Sequence, residues 1–271
     1  HADLWGLRED KYAWLDNNDW KTTEWREIRP ASEFYLFTPR DSGLFQRYNE
    51  FVKVTDIFPV NSVGIVTSRD HFVFDFDRET LKRRIRTFLD PSLPDDLVRE
   101  TFGLKDSNAW KLAVARQALR DNAEWEKNIV PCLYRPFDVR WLFYHPAVIE
   151  RGREEVMRHV LAEMNLALIT AKRNRSAAMD HFLCSRYVVE TKCGESTIQS
   201  YTFPLFLYPE AGRRDLYEKV GASDRQQPNL NPSLIAALAE EHGREPSPEE
   251  IFRYVYAVLY APSYREKYAE F

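Results

Sequence analysis

Apolar residues gather into short runs through the middle of the chain and fall at helical spacing on either side of it. Between Tyr134 and Pro209 four runs read as strands, at 139–144, 166–170, 187–189 and 202–208. They are rich in the β-branched and aromatic residues that suit a pleated surface. Upstream, 33–38 reads as a short strand closed by Pro39, and 63–67 as a β-branched strand. A polar turn, Ser68-Arg69-Asp70, leads to a returning strand at 71–76. Residues 128–133 form a lead-in strand, which Pro131 assigns to a sheet edge because proline has no N–H for a ladder. Residues 134–138 make the next turn, where Pro136 fixes its own φ and keeps Arg135 out of the helical region.

Helical spacing is clearest at 78–89. Asp77 is placed to cap this helix, Leu81, Ile85, Phe88 and Leu89 form its apolar face, and Lys82, Arg83, Arg84 and Arg86 occupy the others. A short helix starts at Asp95 and ends at Gly103. Ser107 or Asn108 is expected to cap the longest helix, 109–127, with Leu112, Ala115, Leu119 and Ala123 inward. A helix over 154–164 turns Val156, Val160, Leu161 and Met164 inward and carries Glu154 and Glu155 in its first turn, where the helix dipole favours them. Shorter helices are expected at 43–51, with Phe51 and Val52 packing inward, and weakly at 213–220. Near the end, Asn231 caps, Pro232 takes the first helical position and Gly243 closes the helix. Ser247 and Glu250 form a capping box that opens 251–260, where Phe252, Tyr256 and Tyr260 line up as a packing stripe.

Strands mixed with helices make this an α+β chain: a mixed, curled β-sheet with helices packed on it. An α+β domain is expected to span 1–209, with a helical block at 78–127, followed by a helical C-terminal segment, 210–271. The chain begins at His1 and ends at Phe271 inside an apparently helical stretch, and it is expected to be a piece of a larger protein. The tryptophan-rich start, Trp5 to Trp25, reads as an extended arm docked by its aromatics, with a base-stacking platform as the sharper alternative.

The net charge of −4 argues against nucleic-acid binding by bulk charge. It is unevenly spread, however. Residues 135–192 hold ten Lys and Arg against seven Asp and Glu, a local balance of +3. Cys132, Cys184 and Cys193 form no C-x-x-C, which suits free thiols in a reducing, cytoplasmic setting. No apolar run reaches the roughly 18 residues of a membrane span, so no membrane partner is expected.

Most catalytic signatures are missing. There is no phosphate loop, no dinucleotide fingerprint and no G-x-S-x-G elbow. The nearest approach to an amino-methyltransferase motif, Asn231-Pro232-Ser233-Leu234, lacks the second proline and the aromatic. His181, Cys184 and Cys193 give three zinc donors with no fourth at suitable spacing, so no metal site is expected. Asp180 with Glu190 and Lys192 matches a metal-dependent nuclease pattern, in which two carboxylates hold the ion and the lysine positions water. That is the enzyme alternative; a protein-docking module through an aromatic C-terminal helix face is a third.

The strongest binding candidate is the loop Lys172, Arg173, Asn174, Arg175 and Ser176. Arginine forks match the guanine edge, asparagine can bind adenine, and lysine and arginine also bind phosphates. Arg151 and Arg153 before the 154–164 helix join this set, as does Arg69. Arg69 and Asp70 have a bland alternative as a turn brace paired with each other, and the basic face of 78–89 has one as a solvated surface.

The order of several stretches carries a resemblance. DLWG at 3–6, FYLF at 34–37, SVGIVTSRD at 62–70 and YRPFDVRWLFY at 134–144 come first. RGREEVMRHV at 151–160, NLALITAKR at 165–173, FPLFLYP at 203–209 and the tail IFRYVYAVLYAPSYREKYAEF at 251–271 follow. Together they resemble the C-terminal specificity region of type ISP restriction–modification enzymes and related adenine DNA methyltransferases. The resemblance implies a target-recognition-domain-like fold whose partner is double-stranded DNA. It implies that this fragment is non-catalytic, with methyltransferase and helicase or nuclease domains elsewhere on the same polypeptide. S-adenosylmethionine, ATP and Mg²⁺ would then serve only those domains, and no cofactor is expected here.

Overall fold

A computed structural model describes residues 1–30, 35–39, 41–162, 165–172, 182–209 and 226–269. Two compact units emerge, His1–Val52 with Lys267–Phe271, and Lys53–Glu266.

In the small unit, α1 (Arg8–Asn17) buries no residue, because its few apolar side chains sit among charges without forming a stripe. α2 (Ser42–Asn49) starts on Asp41, whose carboxylate accepts from Leu44 N at 2.9 Å. Three expectations fail here. Tyr35–Thr38 is not extended strand, and Tyr35 sits at a left-handed φ of 46° that breaks a β run. Phe51 and Val52 are exposed, although the Phe51 ring meets Tyr268 edge-on at 5.5 Å. Trp5, Trp20 and Trp25 are also exposed rather than docked; the Trp25 indole donates to Trp20 O at 2.7 Å.

The large unit opens with α3 (Val54–Ile57), β1 (Ser62–Val63), α4 (Asp70–Val73) and β2 (Phe74–Asp75). Next come α5 (Arg78–Leu89), α6 (Asp95–Thr101), α7 (Leu112–Arg120), a 3-10 turn (Trp125–Asn128), β3 (Ile129–Arg135) and β4 (Asp138–Phe143). α8 (Glu154–Leu161), β5 (Ala167–Ala171), β6 (Leu183–Ser185), β7 (Val188–Val189) and β8 (Ser200–Pro204) follow. β9 (Phe206–Leu207), β10 (Gln227–Pro228), α9 (Pro232–His242) and α10 (Pro248–Tyr260) come next, and α11 (Pro262–Tyr268) begins in this unit and ends in the small one.

The α+β class holds, but among the described residues the strands form two four-stranded sheets and a two-stranded ribbon instead of one curled sheet. One sheet runs β1-β8-β5-β6, the other β2-β4-β3-β7, and the ribbon pairs β10 with β9. The second sheet is mixed, since β3 and β7 are parallel. Strand β5 explains the layering. Ala167 and Ile169 enter a core shared with α5, α7, α8 and the second sheet, while Leu168 between them enters another core with Phe203 and α10. Successive strand side chains point to opposite faces, so an unbroken apolar run means a strand buried on both sides.

Several boundaries differ from the expected ones. Residues 71–76 are not one strand, because Arg69 O accepts from Phe72 N and Val73 N and closes a single helical turn before β2. The 109–127 helix is shorter, starting only at Leu112. Ser107 and Trp110 close a turn of their own, and the Asp106 carboxylate accepts from Leu112 N at 3.0 Å. β3 is interior, not an edge: Pro131 faces Trp141 of β4, and pairing to β7 begins one residue later at Cys132. Leu161 is exposed rather than inward, and Met164 lies outside the described residues. The 213–220 helix also lies outside them. The caps at Asp77, Asn231 and Ser247 form as expected.

Candidate nucleic-acid interface

The segment 62–66 ties the large unit together. Val63 pairs with Tyr201 of β8, Ile65 bridges Glu190, and Val66 bridges Arg151. Gly64 N donates to Ser200 O at 3.0 Å, and Thr191 N donates to Ile65 O at 2.9 Å. Arg151, the chain after β7 and the start of β8 therefore converge on one short stretch. Ser200 stands at its centre: it pairs with Ala171, the last residue of β5, and its N–H donates to Thr191 O at 2.6 Å. Lys172 and Lys192 thus leave the backbone on either side of Ser200.

The cations of this unit fall into two groups. The first is engaged by the fold itself. Arg69 Nη1 donates to Val148 O at 3.1 Å and Thr67 O at 3.3 Å, and its guanidinium lies 4.0 Å from the Trp110 ring centre. Burial lowers its pKa, with Glu150 opposing. Asp70 does not brace Arg69: it accepts from the Thr67 hydroxyl and, at 2.9 Å, from Tyr134 OH. The basic helix is neutralised likewise. Lys82 and Arg86 reach Glu126 at 2.6 and 3.4 Å, Arg84 pairs with Asp75 and donates to Phe72 O and Phe74 O, and Arg83 donates to Thr80 Oγ. This favours the solvated or braced face expected as the bland reading of α5.

The second group remains open. Arg186 and Lys192 are exposed and make no ion pair among the described residues. Lys172 is exposed, with its ammonium 4.5 Å from the Tyr201 ring centre. Arg151 is exposed, and its guanidinium reaches Glu150 at 3.8 Å. Arg153 stands at the N-cap of α8 with a left-handed φ of 56°, and its Nε is buried without a partner among the described residues. Arg173, Asn174, Arg175 and Ser176 lie outside the described residues, as do Asp180 and His181. Arg186 was not singled out by sequence, because one arginine between two strands carries no spacing signal.

The Glu190 carboxylate is occupied. It is buried, accepts from Arg135 at 2.6 Å and from Lys192 N at 2.8 Å, and burial raises its pKa against those two partners. Among the described residues no group of three His, Cys, Asp or Glu is arranged to hold a metal. Cys132 and Cys193 are buried and Cys184 is exposed; burial pushes the Cys193 thiol up to about 11. No helix of the described residues is long and apolar enough to cross a membrane.

Beside Glu190, the β3–β4 hairpin turns on Pro136 and Phe137. Its base is stiff: the Arg140 guanidinium lies 4.0 Å from the Tyr134 ring centre and 4.3 Å from that of Phe76, and Arg140 Nη2 meets Asp138 at 2.7 Å. At the tip, Phe137 has a φ of 61° and is 92% exposed. Sequence reasoning passed over it; the signal was a bulky residue where a two-residue hairpin calls for glycine or asparagine.

Comparison with known proteins now bears on this surface. The family described as Type ISP C-terminal specificity domain matches residues 56–271. No curated protein matches the chain. Among solved structures, the chain is similar to one described as a cryoEM structure of a DrdV–DNA complex, with a TM-score of 0.68 and 24% identity over 96% of this chain and 26% of that one. A nuclease-deletion mutant of the Type ISP restriction–modification enzyme LlaGI, in complex with a DNA substrate mimic, gives 0.57 and 21% over 97% and 20%. The ATP-dependent Type ISP enzyme LlaBIII bound to DNA gives 0.54 and 18% over 79% and 14%. The chain spans about a quarter or less of the length of these proteins. It belongs to the Type ISP C-terminal specificity domain family.

Proposed function

We propose that this chain is the DNA target-recognition module of a restriction–modification polypeptide and is not catalytic by itself. The family match across residues 56–271 carries the reading. The open cations support it, since a surface that meets phosphates must hold positive charge its own fold has not neutralised. Among the described residues Lys172, Arg186 and Lys192 meet that condition, and residues 173–176 supply groups suited to reading base edges. Methyltransferase and helicase or nuclease domains of the same polypeptide would perform the chemistry, with S-adenosylmethionine, ATP and Mg²⁺ bound there. The setting is the cytoplasm, where such DNA is met.

Selection from a random duplex pool across a salt series tests this. The expected result is an enriched short sequence with a linear fall of log affinity against log salt. Each phosphate-contacting cation adds about 0.9 to that slope. The triple change Lys172→Ala, Arg186→Ala, Lys192→Ala should therefore flatten it by two to three, roughly, while Lys82→Ala with Arg86→Ala leaves it unchanged. A flat salt response and an unenriched pool, both repeated with the full-length polypeptide, would overturn the proposal. Incubation with plasmid and Mg²⁺ should give no cleavage; nicking abolished by Glu190→Gln would replace it with the nuclease reading.

A further inference from the structure

Between the hairpin tip and α10 lies an open groove of about 460 Å³, lined by Leu133, Phe137, Arg186, Tyr187, Tyr256 and Tyr260, among others. Cavities of about 300–1,000 Å³ accept drug-sized molecules. Two of its rings are fixed. The Tyr260 hydroxyl donates to Phe182 O, the Tyr256 and Tyr260 ring centres are 4.7 Å apart, and the Arg265 guanidinium covers Tyr260 at 4.2 Å. At the mouth stands Phe137, in a left-handed backbone conformation with almost its whole ring in solvent. An apolar ring exposed on a left-handed backbone at the mouth of a groove is placed to meet a ligand. Arg186, exposed and without an ion pair among the described residues, stands at the same groove.

We propose that this groove binds one nucleotide unstacked from the DNA duplex, its base against Tyr187 and Tyr256, its phosphate on Arg186, with Phe137 entering the gap left in the stack. The inference rests on the chain being a DNA-recognition module. Its chemistry is that of a nucleotide: aromatic rings accept the π-face of any base, a guanidinium accepts the phosphate, and an apolar side chain on a rigid tip holds an opened step apart. An apolar peptide would use the rings but leave Arg186 without a role.

A duplex carrying a one-nucleotide bulge has already met the unstacking penalty, so it should bind the 271-residue chain about tenfold tighter than the fully paired duplex. Phe137→Gly suits the backbone φ and will fold; it and Arg186→Ala should each erase most of that preference. A 5-iodouracil at the bulge should photo-crosslink to Phe137, Tyr187 or Tyr256. Equal affinity for both duplexes, or crosslinks confined to residues 172–181, would overturn the inference while leaving DNA recognition standing. Absence of binding to either duplex, by this chain and by the full-length polypeptide, would remove both.

Discussion

Replacing Gly64 with alanine tests whether the convergence of strands on 62–66 is as tight as the geometry implies. A Cβ at that position would lie 2.7 Å from Glu190 C and from both N and Cα of Thr191, all of them backbone atoms. Reaching ordinary contact at 3.4 Å requires a separation of about 0.7 Å. Neither side yields freely. Gly64 N is bonded to Ser200 O, Ile65 N to Val189 O, Thr191 N to Ile65 O and Ser200 N to Thr191 O, at 2.6–3.0 Å. Overpacking of this kind costs about 1–3 kcal/mol, and loosening one of those hydrogen bonds adds about 1 kcal/mol. The smaller conformational freedom of alanine in the unfolded chain returns about 0.4–1 kcal/mol. The net expectation is a loss of roughly 2–3 kcal/mol, or about 3–6 °C in melting temperature for a chain of this size. Gly152 is the control, since its Cβ would meet only side chains at 3.4 Å or more; Gly243, at φ +68° with nothing within 4 Å, isolates the backbone cost of a left-handed position. Urea midpoints for all three alanine variants should rank Gly64→Ala as the most damaging. A Gly64→Ala midpoint equal to that of Gly152→Ala would refute the close-approach argument.

Other buried polar groups give further tests. Removing the guanidinium in Arg135→Met leaves the buried Glu190 carboxylate unpaired and should cost about 3–5 kcal/mol, with Arg135→Met/Glu190→Gln recovering much of it in a double-mutant cycle. Arg116, 2% exposed, donates to Phe88 O, Asp90 O and Leu93 O and pairs with Asp95; Arg116→Lys has too few donors in the right plane and should lower the unfolding free energy measured by urea titration by about 2 kcal/mol or more. His159, 3% exposed, accepts at Nδ1 from Tyr208 N at 2.9 Å, and burial with Arg158 lowers its pKa from 6.5 to about 4. The unfolded chain takes up that proton first, so up to about 3 kcal/mol of stability is present above pH 6.5 and is lost as pH falls towards 4; His159→Asn should flatten that limb of the stability–pH curve. Asn229 donates to Val60 O and Pro204 O and accepts from Val60 N, so Asn229→Ala should cost about 2–4 kcal/mol by thermal melting.

Local signals were the legible ones. Asp77 with Leu81, Ile85 and Phe88, and the Ser247–Glu250 capping box, depend on contacts three or four residues apart, and sequence spacing records them directly. Sheet order is not local. Nothing near Pro131 announces that Val188 and Val189, more than fifty residues later, will pair beside Cys132 and Leu133 and place β3 inside a sheet. β6 was missed because Leu183–Ser185 is three residues long, below the length at which alternation can be read. The turn at Ser107 captured the start of an otherwise persuasive helix because a short side-chain hydrogen bond competes directly with the helical one.

The candidate surface shows the same division more sharply. Four basic residues in five positions of α5 were the densest positive signal in that half of the chain, yet Glu126, Asp75 and two backbone carbonyls claim three of them across the fold. Arg186 and Lys192 stand singly in sequence and make no ion pair among the described residues. Density of charge along a chain measures what was available for pairing; attraction of a phosphate depends on what pairing left over. The acidic net charge of −4 is therefore no contradiction of a DNA-binding face, because most of the carboxylates that set it need not lie near Ser200, where Lys172 and Lys192 emerge. On the proposed reading, a few open cations and one strained aromatic tip are what this chain itself brings to a DNA site, where phosphate contacts position and base contacts specify.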